Sequence, residues 1–155
     1  TNIPWKLDKA IRRRFQIRVY IPLPDVNARA LIFQKHLPET FVKQHVYKKF
    51  LSFAKKTEGY SGADIAVICN EAKFRNIRKI QEATHFIVKD DYYIPCSPGE
   101  IESIPMTYLH IPENKAKAPA LTPKDVLCSI EKIKPTVSQE TLKEYEDWTK
   151  EFGMK

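Results

Sequence analysis

Three consecutive arginines, Arg12, Arg13 and Arg14, stand directly before an alternating apolar segment, and they are the residues best equipped for chemistry. A guanidinium is planar, permanently charged and carries a fork of donors that matches phosphate oxygens. Two readings stay open from the residues alone. The cluster is a solvated charge patch paired with acidic helices, or it reaches a phosphate held by a neighbouring subunit. A second group of note is Gly59-Tyr60-Ser61-Gly62-Ala63-Asp64. Two glycines this close are unfavourable inside a helix, so both belong at a boundary. Elsewhere there is no GxxxxGK[ST] loop, no GxSxG and no paired acid and base. His36, His45, His85 and His110 are scattered, and lone histidines of this kind read as surface or packed residues. Cys69, Cys96 and Cys128 form no CxxC and have no histidine at metal-ligand spacing, so free thiols and no metal are expected.

The elements that position these groups follow from periodicity. Leu7, Ala10 and Ile11 give the lead-in a short basic helical turn. Phe15, Ile17, Val19 and Ile21 then alternate with Gln16, Arg18 and Tyr20, which predicts a strand over 15–21, ended by Pro22 and Pro24. A single strand cannot satisfy its own backbone, so this one belongs to a sheet whose other strands lie upstream of Thr1. Asp25 caps a helix to about His36, with Ala28, Leu31, Ile32 and Leu37 apolar. Another helix over about 46–56 rests on Phe50, Leu51 and Ala54. Gly59 takes the left-handed position that closes it. Ser61 with Asp64 is a capping box that opens the next, running to about Thr84 on Ile65, Ile68, Cys69, Ala72, Ile77 and Ile80.

From 86 to 121 the pieces HFIVK, YYIP and MTYLHI are broken by Pro95, Pro98, Gly99, Pro105 and Pro112. They predict a small antiparallel sheet with a proline-rich loop, inserted between helices. Thr122, Pro123 and Asp125 restart helix. A last helix from about Ser138 to Gly153 carries Leu142, Tyr145, Trp148 and Phe152 on one face. The fold class is mostly α with a small β insertion.

At 155 residues and 43% hydrophobic composition the chain is one domain's worth, with enough apolar material for a core. Its formal charge of +7 is spread along helical stretches, which reads as solvated faces more than as a nucleic-acid surface. No apolar run is long enough to span a bilayer and no signal peptide is present, so a cytosolic, soluble protein is expected. The opening TNIPW, without a methionine, reads as the start of a fragment.

TNIPW-x-LD-x-AIRRRF, RVYIPLP, GYSGAD, KPTVS and a terminal EFG, in this order and spacing, resemble the C-terminal part of a AAA ATPase of the meiotic clade. That clade holds katanin, spastin, fidgetin and the vacuolar-protein-sorting ATPase that disassembles ESCRT-III filaments. ATHF, IPCSPG and the inserted sheet are most similar to the last of these. The resemblance implies the AAA small helical lid domain plus the last strand of the large α/β domain. Residues 1–24 would end the large domain, 25–85 and 122–137 form the lid, 86–121 the inserted β domain, and 138–155 the C-terminal helix.

By the same resemblance Asn2 matches the sensor 1 asparagine that positions the attacking water. Arg13 and Arg14 match arginine fingers acting in trans on nucleotide bound by the adjacent protomer, where they neutralise charge on the transferred phosphoryl. Gly62 and Ala63 match the lid residues against the base and sugar, where small side chains let a flat ring approach the backbone. Ile32 and His36, one turn apart, match lid positions that also contact adenosine. The full-length parent would use ATP or ADP with Mg. The phosphate-binding lysine and metal-holding carboxylates of the family lie upstream, so this segment alone is expected neither to bind nucleotide tightly nor to hydrolyse it. Implied partners are other protomers of an ATPase ring, ESCRT-III subunits through upstream parts, and an activator protein at 86–121. A cytoplasmic protein recruited to endosomal membranes through those partners is expected, without nucleic acid. The last helix would pack on the large domain, leaving part of its apolar face exposed or for another chain. The alternatives are a microtubule-severing member of the clade and a basic helical module that binds nucleic acid.

Overall fold

A computed structural model of the chain describes residue 1 and residues 3–153. After a tight turn at Pro4–Lys6, helix α1 (Lys9–Arg14) starts where the Asp8 carboxylate accepts from the Ala10 N–H. The chain from 15 to 25 then runs without helix or ladder. The strand expected over 15–21 finds no neighbour among the described residues, and its alternating side chains stand in solvent, with Ile21 85% exposed. An unpaired strand has no ladder to define it.

Helix α2 (Val26–His36) is capped by Asp25 as expected. Its buried face differs from the predicted one. Arg29, Ala30 and Phe33 point inward, whereas Leu31 is more than half exposed. The Arg29 guanidinium explains the rotation. It donates twice to Ala54 O and once to Pro24 O, so its buried nitrogens are satisfied. A short helix α3 (Glu39–Gln44), unforeseen in the sequence, leads to α4 (Tyr47–Lys56). Gly59, at φ +80, makes the turn into α5 (Gly62–Glu82), and the Ser61–Asp64 capping box is present.

Strands β1 (His85–Lys89), β2 (Tyr92–Cys96) and β3 (Ile104–Pro105) form an antiparallel sheet in the order β2-β1-β3. The stretch MTYLHI, expected as a strand, contributes instead a single helical turn at Tyr108–His110. Residues 115–117 pair with Tyr93 and cover the outer edge of β2. Helix α6 (Pro123–Lys132) opens on the Thr122–Asp125 capping box, and α7 (Gln139–Phe152) on Ser138.

The core lies among α2, α4, α5 and α6. Phe33, Phe50, Phe53, Ile65, Ile68, Cys69 and Val126 are fully buried there. Phe50 meets Phe53 edge to face, and Phe33 and Phe53 lie 5.7 Å apart between ring centroids. Burial pushes the Cys69 thiol up to about 12, so this cysteine is inert packing. Asp125 sits at 4% exposure between α5 and α6. Burial would raise its carboxyl, but Lys79 at 2.7 Å and the Thr122 hydroxyl and N–H outweigh that and hold it below the usual value. Among the described residues no helix is long and apolar enough to cross a membrane.

Candidate functional site

Arg13 and Arg14 are the last two residues of α1, and both are exposed. A helix C-terminus tolerates cations well, because its terminal carbonyls carry partial negative charge. Among the described residues neither arginine makes an ion pair or a side-chain hydrogen bond. Arg12 behaves differently. Its guanidinium lies 5.5 Å from the centre of the Phe152 ring, and its buried Nε has no hydrogen-bond partner among the described residues. The triplet therefore divides into one arginine that packs on α7 and two that are free to meet something outside the chain.

What holds α1 in place was not legible in the sequence. Arg18 donates to Arg12 O at 2.7 Å and to Phe152 O at 3.2 Å, clasping the ends of α1 and α7. The Tyr145 ring of α7 meets Trp5 at 5.1 Å and Tyr20 at 6.0 Å. The apolar face of α7, expected to be exposed or left for another chain, is thus partly covered by the lead-in of its own chain. Between the two runs an open, mostly apolar groove of about 880 Å³, bordered by Ile17, Val19, Leu142, Trp148 and Ser61 among others.

Ser61, which lines this groove, also caps α5 beside the second group of candidates. Gly62 is the first residue of α5, and the structure brings Ile32 of α2 against it. A methyl group added at Gly62 would lie 3.7 Å from Ile32 Cδ1, an ordinary contact. Neither a clash nor a left-handed backbone demands glycine at 62, unlike at Gly59. Ala63 is exposed, while Ile32 and His36 are half-buried on one face of α2. Gly62 with Ile32 beside it makes a small-sided, partly apolar ledge at a helix N-terminus, with Ala63 next along α5 and His36 one turn along α2. No hydrogen bond or ion pair joins the ledge to Arg13 or Arg14 among the described residues. Asn2 lies outside the described residues. Among those described, no cluster of His, Cys, Asp and Glu could hold a metal ion.

The Asp64 carboxylate, 3% exposed, fixes the ledge from behind. It accepts from Ser61 N–H and Oγ–H at 2.8 Å each and from Thr136 Oγ1–H at 2.8 Å. Burial would raise this carboxyl, but the bonds from Ser61 and Thr136 prevail and hold it below its ordinary value.

The described fold is a helical bundle whose longest helix, α5, opens on a capping box and Gly62 and is followed by an inserted sheet. Family models agree with it. Residues 50–90 match the AAA+ lid domain, and residues 93–153 match the Vps4 C terminal oligomerisation domain. The chain belongs to the Vps4-type AAA ATPases and corresponds to their C-terminal part. It is 41% identical over 165 residues to mouse vacuolar protein sorting-associated protein 4B, covering 99% of this chain and 37% of that protein. The chain therefore spans little more than a third of the curated relative it matches. Among solved structures, the AAA domain of FIGL-1 in complex with ADP superposes with a TM-score of 0.66 at 29% identity, over 100% of this chain and 44% of that one. A chain from the structure of Vps4 and Vta1 superposes with a TM-score of 0.56 at 36% identity, over 72% of this chain and 99% of that one.

Proposed function

We propose that this chain is the nucleotide lid, arginine-finger segment and adaptor-binding part of an ATPase that works as an oligomeric ring and disassembles ESCRT-III polymers at endosomal membranes. The observation that carries the reading is Gly62. Its own chain gives no steric reason for glycine there, yet it faces Ile32 on an open ledge at a helix N-terminus. A nucleotide base and ribose approaching the backbone supply the missing reason. Ala63 and His36 would complete that contact, with Asn2 helping to place the attacking water near the γ-phosphate.

Arg13 and Arg14 would act on nucleotide held by the adjacent protomer. Their exposure and lack of partners among the described residues leave both guanidinium forks available to phosphoryl oxygens. Mg and the triphosphate would be held by parts of the parent that precede this segment, so the segment alone is inert as an ATPase. An adaptor resembling Vta1 would dock on 86–121, where Ile101 is 91% exposed and Leu109 75%. The protein would be cytoplasmic and reach endosomes through its partners.

The test is hydrolysis by the intact gene product. The reading requires nucleotide-dependent phosphate release that Arg13→Ala and Arg14→Ala each nearly abolish. It also requires that either variant, mixed with a wild-type protomer, poisons turnover at the shared interface. Phosphate release from the 155-residue segment alone would overturn the assignment of roles.

A further inference from the structure

Asp64 and Asp125 both close capping boxes, yet their spare lone pairs go to different places. At Asp125 they are taken by Lys79, with Arg75 nearby, on the helix packed against α6. At Asp64 they are taken by Thr136, 72 residues away, through its hydroxyl at 2.8 Å and its N–H at 3.5 Å. Thr136 lies in the exposed connection between α6 and α7. Tyr60 O–H, donating to Ile133 O at 2.7 Å, ties the start of the same connection. A capping box needs only its own serine and acid to complete a helix. The Thr136 bonds are therefore extra to α5 and belong to whatever Thr136 holds.

Two residues after Thr136, Ser138 caps α7. At the far end of α7, Phe152 O accepts from Arg18, whose other terminal nitrogen donates to Arg12 O. Arg12 directly precedes Arg13 and Arg14 on α1. A continuous set of polar contacts thus runs from beside Gly62, along one helix, to the helix that carries the exposed arginines. The seam it crosses is incomplete, because the buried Arg12 Nε and Trp148 Nε1 lack partners among the described residues.

We propose that Thr136 is a positioning residue, whose bond to Asp64 sets α7, and through it the arginine-bearing α1, relative to the nucleotide-facing start of the lid. This rests on the reading of Gly62, Arg13 and Arg14 given above. A protomer's own lid would then govern the arginines it offers to its neighbour.

Thr136→Val removes the hydroxyl and keeps the shape, and Thr136→Ser keeps the hydroxyl. In the intact gene product the valine variant should lower kcat about tenfold, the scale of one charge-assisted hydrogen bond, and leave KM within about twofold. Serine should restore kcat. Arg13→Ala is measured beside them. If Arg13→Ala abolishes turnover while Thr136→Val hydrolyses like wild type, this inference falls and the functional reading stands. If Arg13→Ala turns over normally, the functional reading falls and takes the inference with it. A change in KM as large as that in kcat, or a loss that serine does not restore, marks a purely structural residue and overturns the proposal. Should the valine variant not fold, Thr136→Ala is read by tryptophan emission, since Trp5 and Trp148 are the chain's two tryptophans and both lie on the seam. Unchanged emission overturns the proposal, and a shifted spectrum supports it.

Discussion

The helical core of α2, α4, α5 and α6 and the paired end segments, 1–24 with α7, are built on different principles. In the lid, Phe33, Phe50, Phe53, Ile65 and Ile68 are fully buried, and polar groups appear inside only with partners. In the end segments Pro4 alone is buried among the described residues. There aromatic rings, one cation–ring contact and the Arg18 clasp do the holding, and two buried donors go unmet. Apolar burial is indifferent to direction and yields a body that stands by itself. A seam of rings and guanidinium groups is directional and weak, so its geometry depends on what lies against it. The candidate chemistry falls on that boundary, with Gly62 on the rigid side and Arg13 and Arg14 on the adjustable side.

The contrast is broken most severely at Arg13. Arg13→Ala should cut ATP turnover by the intact protein by about 10³-fold or more, the range seen for arginine fingers. The same change should leave the thermal midpoint of this segment in place, because the side chain is exposed and has no partner among the described residues. Next in size is the core. Phe53→Ala should cost about 3–5 kcal/mol in urea unfolding, the usual loss for an enclosed phenylalanine. A cost under about 1 kcal/mol would mean that the lid core is not the tightly packed body described.

Acid should act on the lid through Asp64 and Asp125, whose carboxyls both lie below their ordinary value in the fold. A lowered folded pKa gives stability that is fully present above the unfolded value, near 4, and is lost as pH falls through the folded one. The melting temperature should therefore hold from neutral pH to about 5 and drop steeply below about 4. Asp125→Asn should flatten that drop.

Smaller again is Tyr60→Phe, which deletes the bond to Ile133 O and should cost about 1 kcal/mol. At the far end stands Ile17→Ser. With Ile17 71% exposed, it should move the stability of this segment by no more than about 0.5 kcal/mol. A larger loss would show that residues 15–21 are packed in solution and would remove the contrast.

Local rules made much of this architecture legible. The caps at Asp25, Ser61 and Thr122 stand where their side chains announced them, because a cap involves residues within three positions of each other. Gly59 is left-handed for the same local reason. The periodic run of Ile65, Ile68, Cys69 and Ala72 is core, whereas Ile77, further along the same helix, turns out to solvent. The short helix α3 escaped notice because six residues are too few to show a period, and MTYLHI misled because β-prone side chains do not form a strand without an edge to pair with.

The sequence by itself determined the capped starts of α2, α5 and α6, the first two strands of the inserted sheet, and the triplet and glycine pair that mark the candidate site. Only the tertiary structure decided how those marks are used. It separated Arg12 from Arg13 and Arg14, set Ile32 beside Gly62, buried Arg29 against Ala54 O, and joined Thr136 to Asp64 across 72 positions. The physical reason is range. A cap or a helical stripe is set by neighbours a few residues apart, so the string of residue types contains it. A guanidinium or a carboxylate with lone pairs to spare accepts any partner the fold delivers, and nothing in its own neighbourhood says which one that is.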